Sequence, residues 1–326
     1  MIKILFNTVL GLVLIIVWAH FVNLREIFQT ISKVNLIGLI PVFFFMLASP
    51  VIRAIRLKFF LSEVKSVKLL DLVYLNGAAM MLNFFIPIRM GEIAKGVFLN
   101  RYGIHIGKAI VWVFIDRFVD FLAVLALAGV LVGVIPNSLP QNFSLTVSII
   151  FIATFILTYL AVFQVNFTRK LIQILKPIFI VKSIKIYFER FSNFILESFS
   201  ILRRKPKDLL VLVGITILAY GADSAIWYFT FIALGVDQNY LKMYLGTLLS
   251  ALTYLIPAAP GYVGSAEASG TLILSGVFGI STNSASSMIV LFHILTAIFV
   301  IIYGLISIFS LKLDLGLIFK KALKRA

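Results

Sequence analysis

The sequence predicts an all-α polytopic membrane protein, and three observations carry that prediction. A mean hydropathy of +1.09 goes with 61% hydrophobic and only 13% charged residues over 326 positions, too little charge to cover a water-facing surface. Apolar stretches of about twenty residues, the length that crosses a bilayer core of about 30 Å, recur along the chain. Two further apolar segments are broken by Pro, Gly and charge, which suits backbone buried inside a membrane protein rather than exposed to lipid.

In order, about six full spans fall near 3–22, 36–57, 109–135, 144–164, 208–234 and 285–310. The first begins with a Lys and an apolar run, but no small-x-small cleavage site follows, so it reads as an uncleaved span. The broken segments, 69–100 and 241–280, read as two short arms around IPIRMGE and around IPAAPGYVGSAE. The first suits a re-entrant hairpin. The second has arms of about 15 and 18 residues and reads either as a hairpin or as two thin spans. The whole is one integral membrane domain. Its first half is 1–135, a connection at 165–207 leads to a second half at 208–310, and a basic tail covers 311–326.

Net charge is +16. The excess sits where the positive-inside rule places it, so no nucleic-acid partner is implied. The 165–207 connection holds ten Lys and Arg against Glu189 and Glu197, and the tail holds Lys312, Lys320, Lys321, Lys324 and Arg325. The 136–143 connection carries no charge, and 235–242 carries only Asp237 and Lys242. Both termini are therefore expected in the cytoplasm, in a cell (inner) membrane. Arg25 and Lys33 run against the bias, offset in part by Glu26. By parity, the triplet of span, hairpin and span in the first half is inverted relative to that in the second, the inverted-repeat plan of transporters. The 165–207 connection alternates basic and apolar residues and predicts amphipathic helices on the leaflet, broken at Pro177.

An ionisable residue inside a span costs roughly 2.5–3.5 kcal/mol at its centre, so each one needs a partner or a role. Arg53 and Arg56 share a face and are expected near the inner headgroup level, as snorkelling anchors or phosphate ligands. Asn83, Pro87, Arg89, Gly91, Glu92 and Lys95 crowd the first hairpin tip, where Arg89 and Glu92 either neutralise one another or line a polar site. Asp116, Arg117 and Asp120 stand inside the third span, with both acids on one face, as charge partners for an arginine or as coupling groups. Asp223 has no basic neighbour in sequence. Pro257, Pro260, Gly261 and Gly264 break the second hairpin, and Glu267 follows in the first turn of a helix, where it suits the helix dipole. The two tips are expected to meet near the midplane and to receive an anionic headgroup at Arg89 and at helix N-termini. His293 is a lone histidine whose simplest role is packing or hydrogen bonding between helices. Cysteine is absent, no His/Asp/Glu cluster has metal-ligand spacing, and no catalytic triad or nucleotide loop is present, so no cofactor or metal is expected.

The succession IRAIR, NFFIPIRMGEIAKGVFL, DRFVD and IPAAPGYVGSAE resembles the lysylphosphatidylglycerol synthase transmembrane-region family, a flippase-like integral membrane domain. Its Arg-Ala-x-Arg pattern falls on Arg53 and Arg56, and its Pro-x-Arg-x-Gly-Glu on Pro87, Arg89, Gly91 and Glu92. Its acidic-Arg-x-x-Asp falls on Asp116, Arg117 and Asp120, and its last motif on Pro257, Pro260, Gly261, Gly264 and Glu267. Lys95 and Tyr262 depart from the usual Arg and Gly. The resemblance implies translocation or binding of an anionic phospholipid or lipid-linked headgroup. The short tail leaves no room for an aminoacyl-transferase domain, so a non-enzymatic protein is expected. A membrane-embedded enzyme acting on a lipid phosphate, or an accessory scaffold of envelope lipid assembly, are the alternatives. Membrane lipids are the expected partners, with a homo-oligomer or a separate lipid-modifying enzyme as further ones.

Overall fold

The structure is a computed structural model. It describes residues 2–62, 65–86, 90–104, 106–135, 139–178, 185–186, 188–189, 191–193, 196, 200, 206–253 and 259–313. Pro87, Ile88, Arg89 and Pro257, much of the connection after 178 and the tail from 314 lie outside the described residues.

The helices are α1 (Ile2–Phe21), α2 (Leu24–Ser32), α3 (Ile40–Leu61), α4 (Leu69–Phe85), α5 (Met90–Asn100) and α6 (Ile106–Val134). They continue as α7 (Gln141–Phe163), α8 (Val165–Leu175), α9 (Pro206–Ala233), α10 (Tyr240–Thr253), α11 (Ser265–Leu272) and α12 (Thr282–Ser310). Among the described residues five helical stretches are long and apolar enough to cross a membrane: Ile37–Leu61, Ile115–Val134, Gln141–Leu160, Leu210–Ala233 and Thr282–Ser310. A sixth arises if α1 and α2, bent by 87°, count as one broken span. Asn23 makes that bend, because its side chain accepts the Glu26 N–H and starts a new, amphipathic helix. The chain is thus an all-α polytopic membrane protein, as its hydropathy predicts.

Four of the spans form the frame. α3 and α9 run antiparallel: Ala233 accepts the Asn35 N–H at 2.9 Å at one end, and Phe60 shares an apolar cluster with Leu212 at the other. The Leu61 end of α3 therefore lies beside the Pro206 end of α9. α4 and α5 leave and return on that face, while α10, α11 and the π-helical turn Ile273–Val277 leave and return on the opposite one. Among the described residues none of the arms α4, α5, α10 and α11 is long and apolar enough to cross a membrane alone, which suits re-entrant hairpins in both segments. α4 packs on α12 and α10 packs on α6, while α3 packs on α9. Small residues permit the closest approaches, since a Cβ on Gly77 would lie 2.2 Å from Ser307 Oγ and one on Gly304 2.4 Å from Met81 Cβ.

α7 touches α6 and α8 and presents the rest of its surface outward, with none of its spanning window buried. α8 is the amphipathic helix expected after span four, and it ends in a 3-10 turn at Lys176–Ile178 where Pro177 interrupts it. Lys176 hydrogen-bonds Glu189 at 2.8 Å, and this bond, with the lysine's charge, holds the Glu189 carboxyl below its usual range.

Candidate functional site

The two hairpin tips meet in the middle of the molecule. Phe84, at the end of α4, packs its ring against Tyr262 and against His293, with centroids 6.2 Å apart in both cases. His293 stands eleven residues into α12, roughly 17 Å from its Thr282 end and roughly 26 Å from its Ser310 end at 1.5 Å per residue. The tips are thus at membrane depth. Between them lies a cavity of ≈ 640 Å³ walled by α3, α4, α5, α6, α9, α10, Tyr262 and α12. Its polar wall includes Ser49, Arg53, Asn83, Glu92, Arg117, Asp120, Asp223 and Thr296, and its apolar wall includes Phe121, Trp227, Phe292 and Phe299.

The charges on and behind this wall are interlocked. Arg53 binds Asp223 at 2.7 Å, and Ser49 stands between them, accepting from Arg53 and donating to Asp223 at 2.5 Å each. The guanidinium also lies over the Tyr220 ring, 5.3 Å from its centroid. Behind that pair, Arg56 is fully buried. It reaches Asp120 at 2.6 Å, Asp116 at 2.9 Å and the Thr216 hydroxyl at 2.8 Å. Arg117 meets the same two acids from the cavity side, at 2.5 Å and 3.2 Å. Two cations and two anions therefore alternate around a square, which is how such charges survive at membrane depth. Lys95 approaches Glu92 at 3.5 Å.

Each hairpin has one glycine at its break, Gly91 and Gly264, that no other residue could replace without movement. A Cβ on Gly91 would lie 2.1 Å from the Ala79 carbonyl oxygen, and the Gly91 N–H donates to Asn83 at 2.8 Å. In the second tip, Gly261 and Gly264 have φ of 71° and 79°, and Tyr262 joins them at 58°. Glu267 accepts the Gly264 N–H at 2.7 Å and meets His293 Nδ1 at 2.5 Å, while His293 Nε2 donates to the Gly261 carbonyl at 2.7 Å. α1 closes this loop from outside, so closely that a Cβ on Gly264 would fall 2.0 Å from the Gly11 carbonyl oxygen.

The residues singled out from sequence divide into three groups. Arg53, Asn83, Glu92, Arg117, Asp120 and Asp223 line the cavity. Arg56, Asp116 and Glu267 are buried behind it, and Arg89, with Pro87 and Pro257, lies outside the described residues. Arg56 does not snorkel, because α6 and α9 enclose it, α6 supplying two carboxylates and α9 the Thr216 hydroxyl. The helix N-termini at the tips are also partly occupied, since Asn83 takes the Gly91 N–H and Glu267 the Gly264 N–H. Sequence reading missed Ser49, Thr216 and Tyr220, small or aromatic polar residues that look ordinary in an apolar helix. His293 hydrogen-bonds between helices as expected, but nothing in the sequence marked Glu267 as its partner. Among the described residues no group of His, Cys, Asp and Glu could hold a metal ion.

A half-open cavity with one charged and one apolar wall, set among spanning helices and two broken ones, belongs to a polytopic membrane protein. The chain belongs to the family described as Lysylphosphatidylglycerol synthase TM region, whose sequence profile matches residues 4–304. It is also similar to a UPF0104 membrane protein of Archaeoglobus fulgidus, 31% identical over 103 residues. That alignment covers 32% of this chain and 31% of the relative, about a third of the relative's length.

Proposed function

We propose that this protein binds the headgroup of an anionic phospholipid or lipid-linked molecule in the central cavity and carries it between leaflets, without catalysing a reaction. The observation that carries the reading is the ≈ 640 Å³ charged cavity at the meeting point of two hairpins that open on opposite faces. The contacts support an inverted repeat. Exchanging α3 to α6 with α9 to α12 leaves the α3 and α9 pair in place and turns α4 on α12 into α10 on α6. One fold used twice in opposite directions supplies two gates to one site, and rocking of the halves gives alternating access. Basic connections place both termini on the cytoplasmic side of a cell membrane.

Among the described residues Arg53 and Arg117 are the cavity-facing cations, with side chains 23% and 31% exposed. A headgroup phosphate meets them as a bidentate acceptor and takes the place that Asp223 and Asp120 hold at rest. The carboxylates then act as stand-ins that keep the arginines neutralised when no lipid is bound. This exchange limits how tightly the lipid is held, as a carrier requires, since binding must be reversible on both sides. The test is a proteoliposome assay with fluorescently tagged phosphatidylglycerol and a quencher confined to the outside. Wild-type protein should expose inner-leaflet lipid to the quencher faster than empty vesicles, and Arg53→Met should remove most of the excess. Quenching equal to that of empty vesicles for both anionic and zwitterionic tagged lipids would refute the proposal.

A further inference from the structure

We infer that Glu267 and His293 form a proton-binding site whose occupancy decides whether the Gly261–Tyr262 loop is held against the cavity. His293 faces two acceptors: Nε2 points at the Gly261 carbonyl at 2.7 Å and Nδ1 at a Glu267 carboxylate oxygen at 2.5 Å. A neutral imidazole carries one N–H, so it cannot donate to both. Both bonds exist together only when the pair holds an additional proton, placed either on Nδ1 or on Glu267 Oε1. The other Glu267 oxygen is occupied by the Gly264 N–H at 2.7 Å, so the carboxyl cannot turn away to relieve the contact. Loss of that one proton sets a lone pair against an oxygen at one end of the ring, and one of the two bonds must break.

What the bonds hold is a loop with reason to move. Gly261 and Tyr262 both have positive φ, a conformation that costs a tyrosine energy and persists only where the surroundings impose it. Tyr262 lines the cavity and touches Phe84 of the other hairpin. His293 keeps 14% of its side chain exposed and Glu267 8%, so the pair is not fully sealed.

Several charged and titratable groups on the elements around His293 have partners of their own. α4 brings Phe84, and its own acid Asp71 takes the Tyr102 hydroxyl. α9 brings Tyr220 and Asp223, both on Arg53, and α2 brings Glu26, bound to Asn283 near the start of α12. Within α12, Tyr303 donates to the Val73 carbonyl. α11 brings Glu267 itself, and the π-helical turn ILSGV has no ionisable side chain. The proton site stands on this geometry, while its use in lipid movement rests on the function proposed above.

The experiment uses full-length protein in nanodiscs with one cysteine, Val263→Cys, carrying an environment-sensitive fluorophore; the native chain has no cysteine and Val263 is exposed. Emission is followed from about pH 5 to about pH 10, the range over which buried carboxyl and imidazole groups titrate. In the wild-type background the held-to-released ratio should fall about tenfold per pH unit, the slope of a one-proton linkage. Glu267→Gln keeps all three bonds without the extra proton, because its amide donates to Nδ1 and its oxygen accepts from Gly264. It should give a flat signal at the wild-type low-pH value. His293→Phe should give a flat signal at the high-pH value. A flat wild-type signal, or a Glu267→Gln signal that titrates like wild type, would overturn the proton site; the second outcome is decisive even if His293→Phe does not fold. A titrating label in protein that moves no lipid would keep the proton site and set aside the transport reading. A flat label in protein that moves lipid would do the reverse.

Discussion

Arg56→Met removes the guanidinium from a neutral square of charge and leaves Arg117 alone against Asp116 and Asp120. Arg56 is wholly buried, and its two carboxylate partners lie 2.6 Å and 2.9 Å away. Breaking a buried pair by removing one partner costs about 3–5 kcal/mol, mainly because the remaining charge has no compensation. In a chain of this size that is a fall in melting temperature of roughly 4–7 °C. Arg53→Met removes a cation whose side chain is 23% exposed and whose partner Asp223 borders the cavity, so its cost is discounted by solvent to about 1 kcal/mol. Adding Asp120→Asn to Arg56→Met restores local neutrality and should recover a substantial part of the loss. The assay is thermal unfolding of purified protein in detergent, followed by intrinsic fluorescence. Equal destabilisation by Arg53→Met and Arg56→Met, or a double variant no better than Arg56→Met alone, would refute the balanced-square reasoning.

Asp223→Asn frees Arg53 for a phosphate and should raise retention of phosphatidylglycerol on the purified protein by on the order of tenfold, about 1.4 kcal/mol, read by native mass spectrometry. Unchanged retention would show that Asp223 does not compete for the arginine. Gly91→Ala drives a methyl into the Ala79 carbonyl and should cost about 1–3 kcal/mol of stability, whereas Gly133→Ala, where a Cβ meets nothing within 4 Å, should cost little. The exposed Lys176–Glu189 pair contributes above the ordinary glutamate range and loses its contribution as pH falls through the lowered Glu189 pKa. Glu189→Gln should therefore lower the melting temperature slightly at neutral pH, and the difference from wild type should vanish as pH falls below the lowered Glu189 pKa. For orientation, a cysteine at Lys182 should resist a membrane-impermeant thiol reagent added outside intact cells, and one at Asn142 should react; the opposite pattern inverts the topology.

Hydropathy made the spans and both hairpins legible, because lipid requires long apolar helices and tolerates Pro and Gly breaks only inside protein. The charged residues of the site were legible for the same reason, since each is costly in a span. Their pairing was not. Arg53 and Asp223 lie 170 positions apart, and nothing local in either helix records the other. Arg56 shows the limit: its depth along α3 could be counted, but its enclosure by α6 and α9, which rules out snorkelling, could not. The bend after α1 had a readable signal in Asn23, a helix N-cap before an amphipathic stretch. The role of α1 as a cover for the second tip had only Gly11 to mark it, and a lone glycine in an apolar helix has many explanations.

In the proposed transport cycle the two hairpin tips jointly form the site through which a lipid headgroup passes. Cysteines replacing Phe84 and Tyr262, whose ring centroids are 6.2 Å apart, test it most directly when joined by a short bifunctional thiol reagent in proteoliposomes. The account predicts efficient crosslinking and arrest of phosphatidylglycerol movement, with recovery after a cleavable linker is reduced. Undiminished lipid movement through fully crosslinked protein, or tips that no short linker can join, would contradict it.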